Sequence, residues 1–286
     1  MDIQTEPLSP GLYFVATPIG AARDITLRAL DILASADVIA AEDTRTVKHL
    51  MRIHGVAPGA RPIIAYHEHS KPEMRARIIR MIADGMSVAY ASEAGTPLVA
   101  DPGFQLGRAA IEAGVKVSAA PGPSALLAAL TVSGLPTDRF MFAGFPPSAK
   151  AARRKWLEGL ADSGATLAFY ESPRRVGGLL TDLVQAFGTD RRAAVCRELT
   201  KRFEEVARAT LGELAAQFAN RSVKGEIVVL VDRAPERVVD AETMEAALRV
   251  ALRDHSVKDA AAAVAADLGL AKRLVYQAAL AMEDEE

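Results

Sequence analysis

The chain has 286 residues, more than one ordinary core of ~150 residues requires, so two packed domains with or without a small appendage are expected. Half of its residues are hydrophobic, 24% are charged and the formal net charge is -2. This composition excludes a disordered chain, and bulk charge gives no sign of a nucleic-acid partner. The sequence has a single cysteine, Cys196, which excludes an intrachain disulfide and a cysteine-based metal cluster. Since no leader sequence or membrane-spanning apolar segment is recognisable, a cytosolic protein is expected.

Short β-type runs alternate with helical patterns from residue 11 to residue 232. This alternation predicts an α/β fold with largely parallel sheets covered by helices. Ser70 and Glu73 predict a capping box at the start of one helix, and Gly85 is predicted to end it in the left-handed conformation. The first five predicted strands cover residues 11–17, 37–41, 62–66, 87–91 and 115–119.

A second series of strands follows Pro121-Gly122-Pro123, where we predict a domain boundary. The connection between Arg197 and Glu204 is short, which predicts antiparallel pairing and therefore a mixed sheet. The strands of this series are predicted at residues 140–145, 166–171, 193–198, 203–209 and 226–232.

The predicted domains are an N-terminal α/β domain at residues 1–120, a second α/β domain at 121–235 and a helical appendage at 236–286. In the appendage, Ser256 is predicted to cap a helix and Gly269 to end it. Together with the helix after it, this helix resembles a helix-turn-helix hairpin. Such a hairpin either packs against protein or contacts RNA, and the sequence leaves both open.

Loops rich in small residues and proline follow three of the predicted strands. They are Thr17-Pro18-Ile19-Gly20, residues 92–103 and residues 121–125. The carboxyl ends of strands in α/β sheets converge on a crevice, and small residues let the backbone approach a ligand closely. Taken singly, each loop could be only a turn, but three in one half-sheet predict a binding site. The motifs of dinucleotide enzymes, P-loop NTPases, zincins and α/β-hydrolases are absent from the sequence.

Together with other segments, these loops carry a family resemblance. The segments, in order, are residues 12–20 with 23–25, 41–45, 66–69, 92–103, 121–125, 134–140, 169–173, 197–201 and 224–226. In order and spacing, over nearly the whole chain, they resemble the bacterial 16S ribosomal RNA (cytidine-2′-O-)-methyltransferases of the tetrapyrrole methylase superfamily.

The resemblance implies a class III methyltransferase with two α/β domains, S-adenosyl-L-methionine in the cleft between them, and a homodimer without a membrane anchor. The substrate implied is a cytidine ribose in the decoding region of 16S ribosomal RNA, methylated in the small ribosomal subunit. The implied cofactor-binding residues are Pro18, Glu93, Ala94, Gly95, Thr96, Ser124, Ala125, Tyr170, Gly225 and Glu226. Two positions depart from the family pattern, because Glu93 replaces the usual Asp and Ala21-Ala22 replaces Asn-Leu.

Methylation of a ribose hydroxyl needs a positioned acceptor, and a nearby base or cation that favours the alkoxide should help. Asp43 and Glu68 are candidate bases, and Arg45 is a candidate partner for a phosphate or the alkoxide. The alternative is that residues 42–44 form a helix N-terminus, where carboxylates cap free amides. His67 and His69 lack a third ligand, so no metal site is expected.

Basic residues near Trp156 are the candidate RNA contacts: Arg153, Arg154 and Lys155. The alternative is a solvated helix face. Two other functions compete with RNA methylation: C-methylation of a tetrapyrrole or corrin by the same fold, and a ribosome-binding assembly factor that has lost turnover.

Overall fold

The computed structural model describes residues 3–235 and 241–283, and its chain divides into two compact units, Met1–Ala234 and Pro235–Glu286. The first unit contains two five-stranded sheets. The proposed division of this unit near residue 120 stays a prediction. Within the described residues, no helix is both long and apolar enough to cross a membrane.

The first sheet is entirely parallel, with strand order β3-β2-β4-β1-β5. Its strands are β1 (Gly11–Val15), β2 (Val38–Ala41), β3 (Ile63–Ala65), β4 (Ser87–Ala91) and β5 (Val117–Ala120). The helices that follow the first four strands are α1 (Leu27–Ser35), α2 (Thr44–Ile53), α3 (Pro72–Ala83) and α4 (Phe104–Glu112). The parallel α/β arrangement predicted from the alternating pattern is confirmed.

Both faces of the first sheet are buried, as a parallel sheet between two helical layers requires. Successive residues of β1 point to opposite faces, so Tyr13 and Val15 join one hydrophobic cluster and Leu12 and Phe14 join the other. All residues of β1, β2 and β4 are buried. The core therefore fixes the register of the strands, and with it the place where their C-terminal loops emerge.

The second sheet is mixed, with strand order β6-β7-β10-β8-β9. Its strands are β6 (Phe140–Gly144), β7 (Thr166–Glu171), β8 (Arg192–Arg197), β9 (Glu205–Thr210) and β10 (Ile227–Val231). Only β6 and β7 pair in parallel, and the predicted antiparallel pairing of β8 with β9 is confirmed. Its helices are α5 (Ala125–Ser133), α6 (Lys150–Glu158), α7 (Val176–Phe187) and α8 (Leu211–Phe218).

The start of α3 differs from the prediction. The helix begins at Pro72 with Lys71 as its N-cap residue, and no side chain caps it. Ser70 Oγ instead accepts a hydrogen bond from the His67 backbone N–H at 2.8 Å. Proline is favoured at the first helical position because it has no N–H there to leave unpaired, so a capping box was the wrong prediction.

The described part of the second unit contains three helices, α9 (Ala241–Ala251), α10 (Val257–Leu268) and α11 (Lys272–Glu283). They share a core that includes Leu248, Val264 and Val275. Ser256 Oγ accepts a hydrogen bond from Asp259 N–H at 3.2 Å, and Gly269 ends α10 with φ of 67°. Both predictions for α10 are confirmed, while residues 236–240 and 284–286 of the predicted appendage lie outside the described part of the chain.

Candidate active site

The three small-residue loops of the first sheet are joined by hydrogen bonds into one rim. Thr17 and Gly95 exchange two backbone hydrogen bonds of 3.0 Å each. The Ser92 hydroxyl donates to the Gly95 carbonyl oxygen at 2.6 Å, and the Thr96 hydroxyl donates to the Pro123 carbonyl oxygen at 2.9 Å. The rim is therefore built at the carboxyl edge of the sheet, where ligands of α/β proteins bind.

A loop of the second sheet reaches this rim. The Thr200 hydroxyl, between β8 and β9, accepts a hydrogen bond from the Ala21 backbone N–H at 3.0 Å. Glu198 and Thr200 hold positive φ angles of 51° and 65°, a strained conformation for residues with a side chain. A Cβ atom on Gly20 would clash with Lys201 and Thr200, so glycine permits the close approach of the two loops.

A cavity of about 140 Å³ lies where the loops of the two sheets meet. Gly95 has φ of 81°, and a Cβ atom there would lie 3.3 Å from Ile19 Cγ2. The cavity is lined by Ile19, Ala94, Gly95, Thr96, Val99, Ser124, Ala125, Tyr170, Cys196, Leu199, Glu226, Ile227 and Val228.

Most of the predicted cofactor-binding residues are brought together in this lining. Pro18, Glu93 and Gly225 are not part of it but are chain neighbours of lining residues. Sequence reasoning missed the apolar part of the lining, which consists of Ile19, Val99, Cys196, Leu199, Ile227 and Val228. Ile19 and Leu199 lie within segments that carried the resemblance, whereas Cys196 gave no signal beyond being a buried strand residue.

An ion cluster stands beside the cavity, next to the lining residue Glu226. Lys201 Nζ lies 2.9 Å from Glu198 Oε1 and 2.8 Å from Glu226 Oε2. The hydrogen bond from Lys201 lowers the pKa of Glu198, and the Glu226 backbone N–H adds to the effect. Gly225 has φ of 93°, and a Cβ atom on it would clash with the carboxyl group of Glu198. The cluster therefore fixes the backbone from which the Glu226 side chain projects.

Three aromatic rings meet at the other side of the cavity. The Tyr170 ring lies 4.7 Å from the Phe142 ring and 5.7 Å from the Phe145 ring, both edge to face. Burial raises the pKa of Tyr170, with a backbone hydrogen bond from Leu126 acting in the opposite direction. Tyr170 is therefore a neutral wall of the cavity near pH 7.

Asp43 is the N-cap of α2, as the alternative interpretation of residues 42–44 proposed. Its Oδ1 accepts hydrogen bonds from the Arg45 backbone N–H at 2.7 Å and from Arg45 Nε at 3.2 Å. Arg45 Nη2 donates to Asp43 Oδ2 at 2.8 Å. The hydrogen bond from Arg45 lowers the pKa of Asp43 to about 2. So weak a base, already paired, argues against Asp43 and Arg45 as the catalytic pair.

Glu42 and Glu68 lie near each other at the same edge. Glu68 is exposed, and its carboxylate lies 3.4 Å from the exposed His69 ring. Glu42 follows β2 directly and is half-buried. Burial raises the pKa of Glu42, and the negative charges of Asp101, Glu93 and Glu68 raise it further. A carboxylate with a raised pKa is a better proton acceptor than Asp43.

The basic cluster of α6 faces solvent only in part. Arg153 is buried, and its Nη2 lies 2.6 Å from Oδ2 of the buried Asp182 in α7. Arg154 Nε lies 2.8 Å from Asp182 Oδ1, and only Lys155 of the three is fully exposed. Contact with phosphate would require Arg153 to leave a buried carboxylate, which argues against the predicted RNA contact of Arg153 and Arg154.

Comparisons with known proteins agree with this architecture. The sequence profile of the family described as Tetrapyrrole (Corrin/Porphyrin) Methylases matches residues 11–215. A second profile, described as RsmI C-terminal HTH domain, matches residues 238–283. One solved structure of similar fold is that of cobalt precorrin-4 methyltransferase, with a TM-score of 0.58 and 19% identity, covering 77% of this chain and 94% of that one. Uroporphyrin-III C-methyltransferase of Thermus thermophilus, complexed with S-adenosyl homocysteine, has TM-score 0.54 and 21% identity over 77% and 96%.

Curated relatives match over almost the full length. The chain is 45% identical to the protein named Ribosomal RNA small subunit methyltransferase I of Mesorhizobium japonicum, covering 99% of this chain and 96% of that protein. It is 43% identical to the protein of the same name from Pseudomonas aeruginosa, covering 94% and 96%. Identity to the Mycobacterium tuberculosis protein of that name is 42%, covering 94% of both chains.

Proposed function

Because the chain belongs to the tetrapyrrole (corrin/porphyrin) methylases, and among them to the ribosomal RNA small subunit methyltransferase I group, we propose that it methylates a cytidine ribose 2′-hydroxyl in 16S ribosomal RNA. The chain is an S-adenosylmethionine-dependent methyltransferase. The observation that carries the proposed substrate is similarity over 99% of the chain to a relative named for small-subunit ribosomal RNA. The decoding region and the ribose oxygen are proposed on the segments that resemble the 2′-O-methyltransferases.

We propose that S-adenosylmethionine lies in the cavity between the loops of the two sheets. Ala94, Gly95 and Ala125 are small, so the backbone there is open to hydrogen bonds from a nucleoside and a methionine moiety. Leu199 and Val228 supply an apolar surface suited to adenine. When bound, the cofactor supplies an electrophilic methyl group carried on a sulfonium.

The remaining predicted residues have narrower roles in this proposal. The Glu226 carboxylate, 71% exposed, is placed to accept hydrogen bonds from ribose hydroxyls or to balance the positive charge of the ligand. Thr96 holds the rim through its hydrogen bond to Pro123, Ser124 caps the start of α5, and Pro18 shapes the rim. Glu93 is exposed at the rim and lies near Glu42. The extra methylene of Glu93, relative to the family's Asp, therefore shifts the position of a negative charge and does not change packing in the core.

For the acceptor side we propose Glu42 as the group that accepts the hydroxyl proton, with the exposed Glu68 as the second candidate. A base contributes about 10²- to 10⁴-fold in such reactions, and its efficiency rises as its pKa approaches the working pH. The pKa of Glu42 is raised and that of Asp43 is lowered, so Glu42 is the stronger base of the two. Positioning of the hydroxyl against the methyl group supplies the rest of the rate enhancement.

The RNA backbone is proposed to lie along the edge that carries the cavity. Exposed cations there include Arg174 after β7, Arg202 after β8 and Lys224 before β10. With Lys155 of α6 they can position phosphates without reading sequence. This set replaces Arg153 and Arg154 as the proposed phosphate contacts.

A homodimer is also proposed, as the family resemblance implies. Its support in the structure is an apolar groove beside the edge strand β5, lined by Phe104 and Ile111, whose side chains are 55% and 67% exposed. Exposed apolar grooves of this kind mark protein contacts. Sedimentation equilibrium of wild type and Ile111→Glu tests the proposal, because a dimer formed through this groove would dissociate in the variant.

The acceptor is tested by methyl transfer from labelled S-adenosylmethionine to small ribosomal subunits that lack the modification. Naked 16S ribosomal RNA and a uroporphyrinogen run in parallel as alternative acceptors. The proposal expects label in the RNA of the subunits and none in the tetrapyrrole.

Three outcomes would contradict it. Label in the tetrapyrrole alone would favour C-methylation. Cofactor binding without transfer to any acceptor would favour an inactive assembly factor. Labelled RNA in which the label lies on a base, and in which no phosphodiester bond next to a labelled ribose resists alkaline hydrolysis, would show that the methyl group is on the wrong atom.

A further inference from the structure

Phe145 is an exposed aromatic side chain that contacts a residue of the cavity wall. It follows β6 directly and is 57% exposed, although it is a large hydrophobic residue. Its ring packs edge to face against Tyr170, which lines the cavity. One side of the Phe145 ring is therefore anchored to the cavity wall while much of the ring remains in solvent.

The loop after Phe145 is held by two arginines. Arg175 Nη2 donates to the Pro146 carbonyl oxygen at 2.6 Å and to that of Pro147 at 3.2 Å. Arg153 Nη1 donates to the Ser148 carbonyl oxygen at 3.3 Å. The two prolines restrict φ further, so this loop has few conformations available.

Both arginines are themselves held by carboxylates with no solvent exposure. Arg153 is paired with Asp182 and Arg175 lies 3.1 Å from Glu171 Oε2. Removing these charges from water is unfavourable, and the pairing offsets that cost only with good geometry. Arg153, which the sequence suggested as an RNA contact, instead helps Arg175 to fix the backbone that carries Phe145.

We propose that Phe145 is a stacking platform for an unpaired base of the RNA substrate, next to the ribose that receives the methyl group. Proteins that recognise single-stranded RNA stack splayed bases on exposed aromatic rings. The exposed Arg174 neighbours Arg175, which contacts the Phe145 loop, and supplies a cation for the adjoining phosphate. The inference rests on the proposed function and deepens it by naming how the acceptor nucleotide is held.

The experiment compares Phe145→Ala, Phe145→Leu and Phe145→Trp in methylation of unmodified small subunits by the full-length chain. Loss of one base–aromatic stack should raise the KM for subunits about 5- to 150-fold in the Ala and Leu variants, because Leu is apolar but has no π-face. Trp should retain wild-type KM. Phe140→Ala is the matched control, since Phe140 is 43% exposed at the opposite end of the same strand.

Binding of S-adenosylhomocysteine, measured by calorimetry, separates stacking from damage to the cavity and should stay within about twofold of wild type in all variants. A Phe145→Leu variant with the wild-type KM for subunits would overturn the inference. So would a Phe145→Ala variant in which a homodimer dissociates into monomers while KM stays unchanged, because Phe145 would then be a protein contact. If wild type methylates no RNA, the proposed function fails. If wild type is active and Phe145→Ala is equally active, only the stacking platform fails.

Discussion

Replacement of Asp182 by Asn should destabilise the first unit strongly. Asp182 has no solvent exposure and is the shared partner of Arg153 and Arg154, at 2.6 and 2.8 Å. Asn keeps the shape of the side chain but removes the charge. Burial acts to raise the pKa of Asp182, yet the hydrogen bonds from Arg154 and Arg153 outweigh it and the pKa is lowered, so the carboxylate is ionised near pH 7.

The magnitude follows from the charge left behind. The Arg153 side chain is only 9% exposed, and an unpaired buried charge costs about 3–5 kcal/mol. For a chain of this size, that cost lowers Tm by about 6 to 20 °C. Thermal unfolding followed by fluorescence of Trp156 reports on this region, because Trp156 is the only tryptophan and lies in α6.

An exposed ion pair provides the matched control. Arg108 and Glu112 are each 62% exposed and lie 2.8 Å apart in α4, so Glu112→Gln should change Tm little, because solvent screens an exposed ion pair. A Tm for Asp182→Asn no lower than that of Glu112→Gln would refute the reasoning that Asp182 balances a buried charge. Asp182→Asn should also raise the KM for subunits, since Arg153 then holds the Phe145 loop less firmly.

Other residues give three further predictions. Gly225→Ala should weaken S-adenosylhomocysteine binding by about tenfold or more, because the added Cβ atom would clash with Glu198. Gly188→Ala is the control for backbone strain in the same calorimetry, since Gly188 also has a positive φ but a Cβ atom there would have no described atom within 4 Å. The hydrogen bond from Arg221 lowers the pKa of Glu205 to about 2, so the stabilisation by its carboxylate is present above about pH 4.3 and is lost as pH falls towards 2. The urea midpoints of wild type and Glu205→Gln should therefore differ by a constant amount above about pH 4.3 and converge as pH falls from there towards 2. A difference that stays constant below about pH 4.3 would contradict this. Burial raises the pKa of Cys196 to about 12, so Cys196 in the native protein should react slowly with a thiol reagent near pH 8. The reaction should be slower still with S-adenosylhomocysteine bound, because Cys196 lines the cavity. Rapid labelling would show that Cys196 lies outside the cavity wall.

The sequence predicted features that depend on local pattern. Strand positions follow from short apolar runs, and the rim around Gly95 follows from small residues placed directly after strands. Ser256 and Gly269 are helix signals that act over one turn. The strand positions and these helix signals are decided by residues within a few positions of one another, so tertiary structure did not overturn them.

The sequence did not predict features that depend on a distant partner. Arg153 resembled a solvated cation because Asp182 is 29 residues away in the chain. The positive φ angles of Glu198 and Thr200 are carried by residues that rarely adopt them, so no residue type announced the strained loop. For Asp43 the local sequence suited both a cap and a base, and only its contacts with Arg45 decided between them.

The most direct test of the proposed activity is mass spectrometry of nucleosides from small subunits incubated with the enzyme and isotopically labelled S-adenosylmethionine. Digestion of the RNA to nucleosides separates a cytidine methylated on the ribose from one methylated on the base. The account predicts labelled 2′-O-methylcytidine from unmodified subunits, and less of it from a Gly225→Ala enzyme when S-adenosylmethionine is limiting. Label on a base, or on a nucleoside other than cytidine, would contradict it.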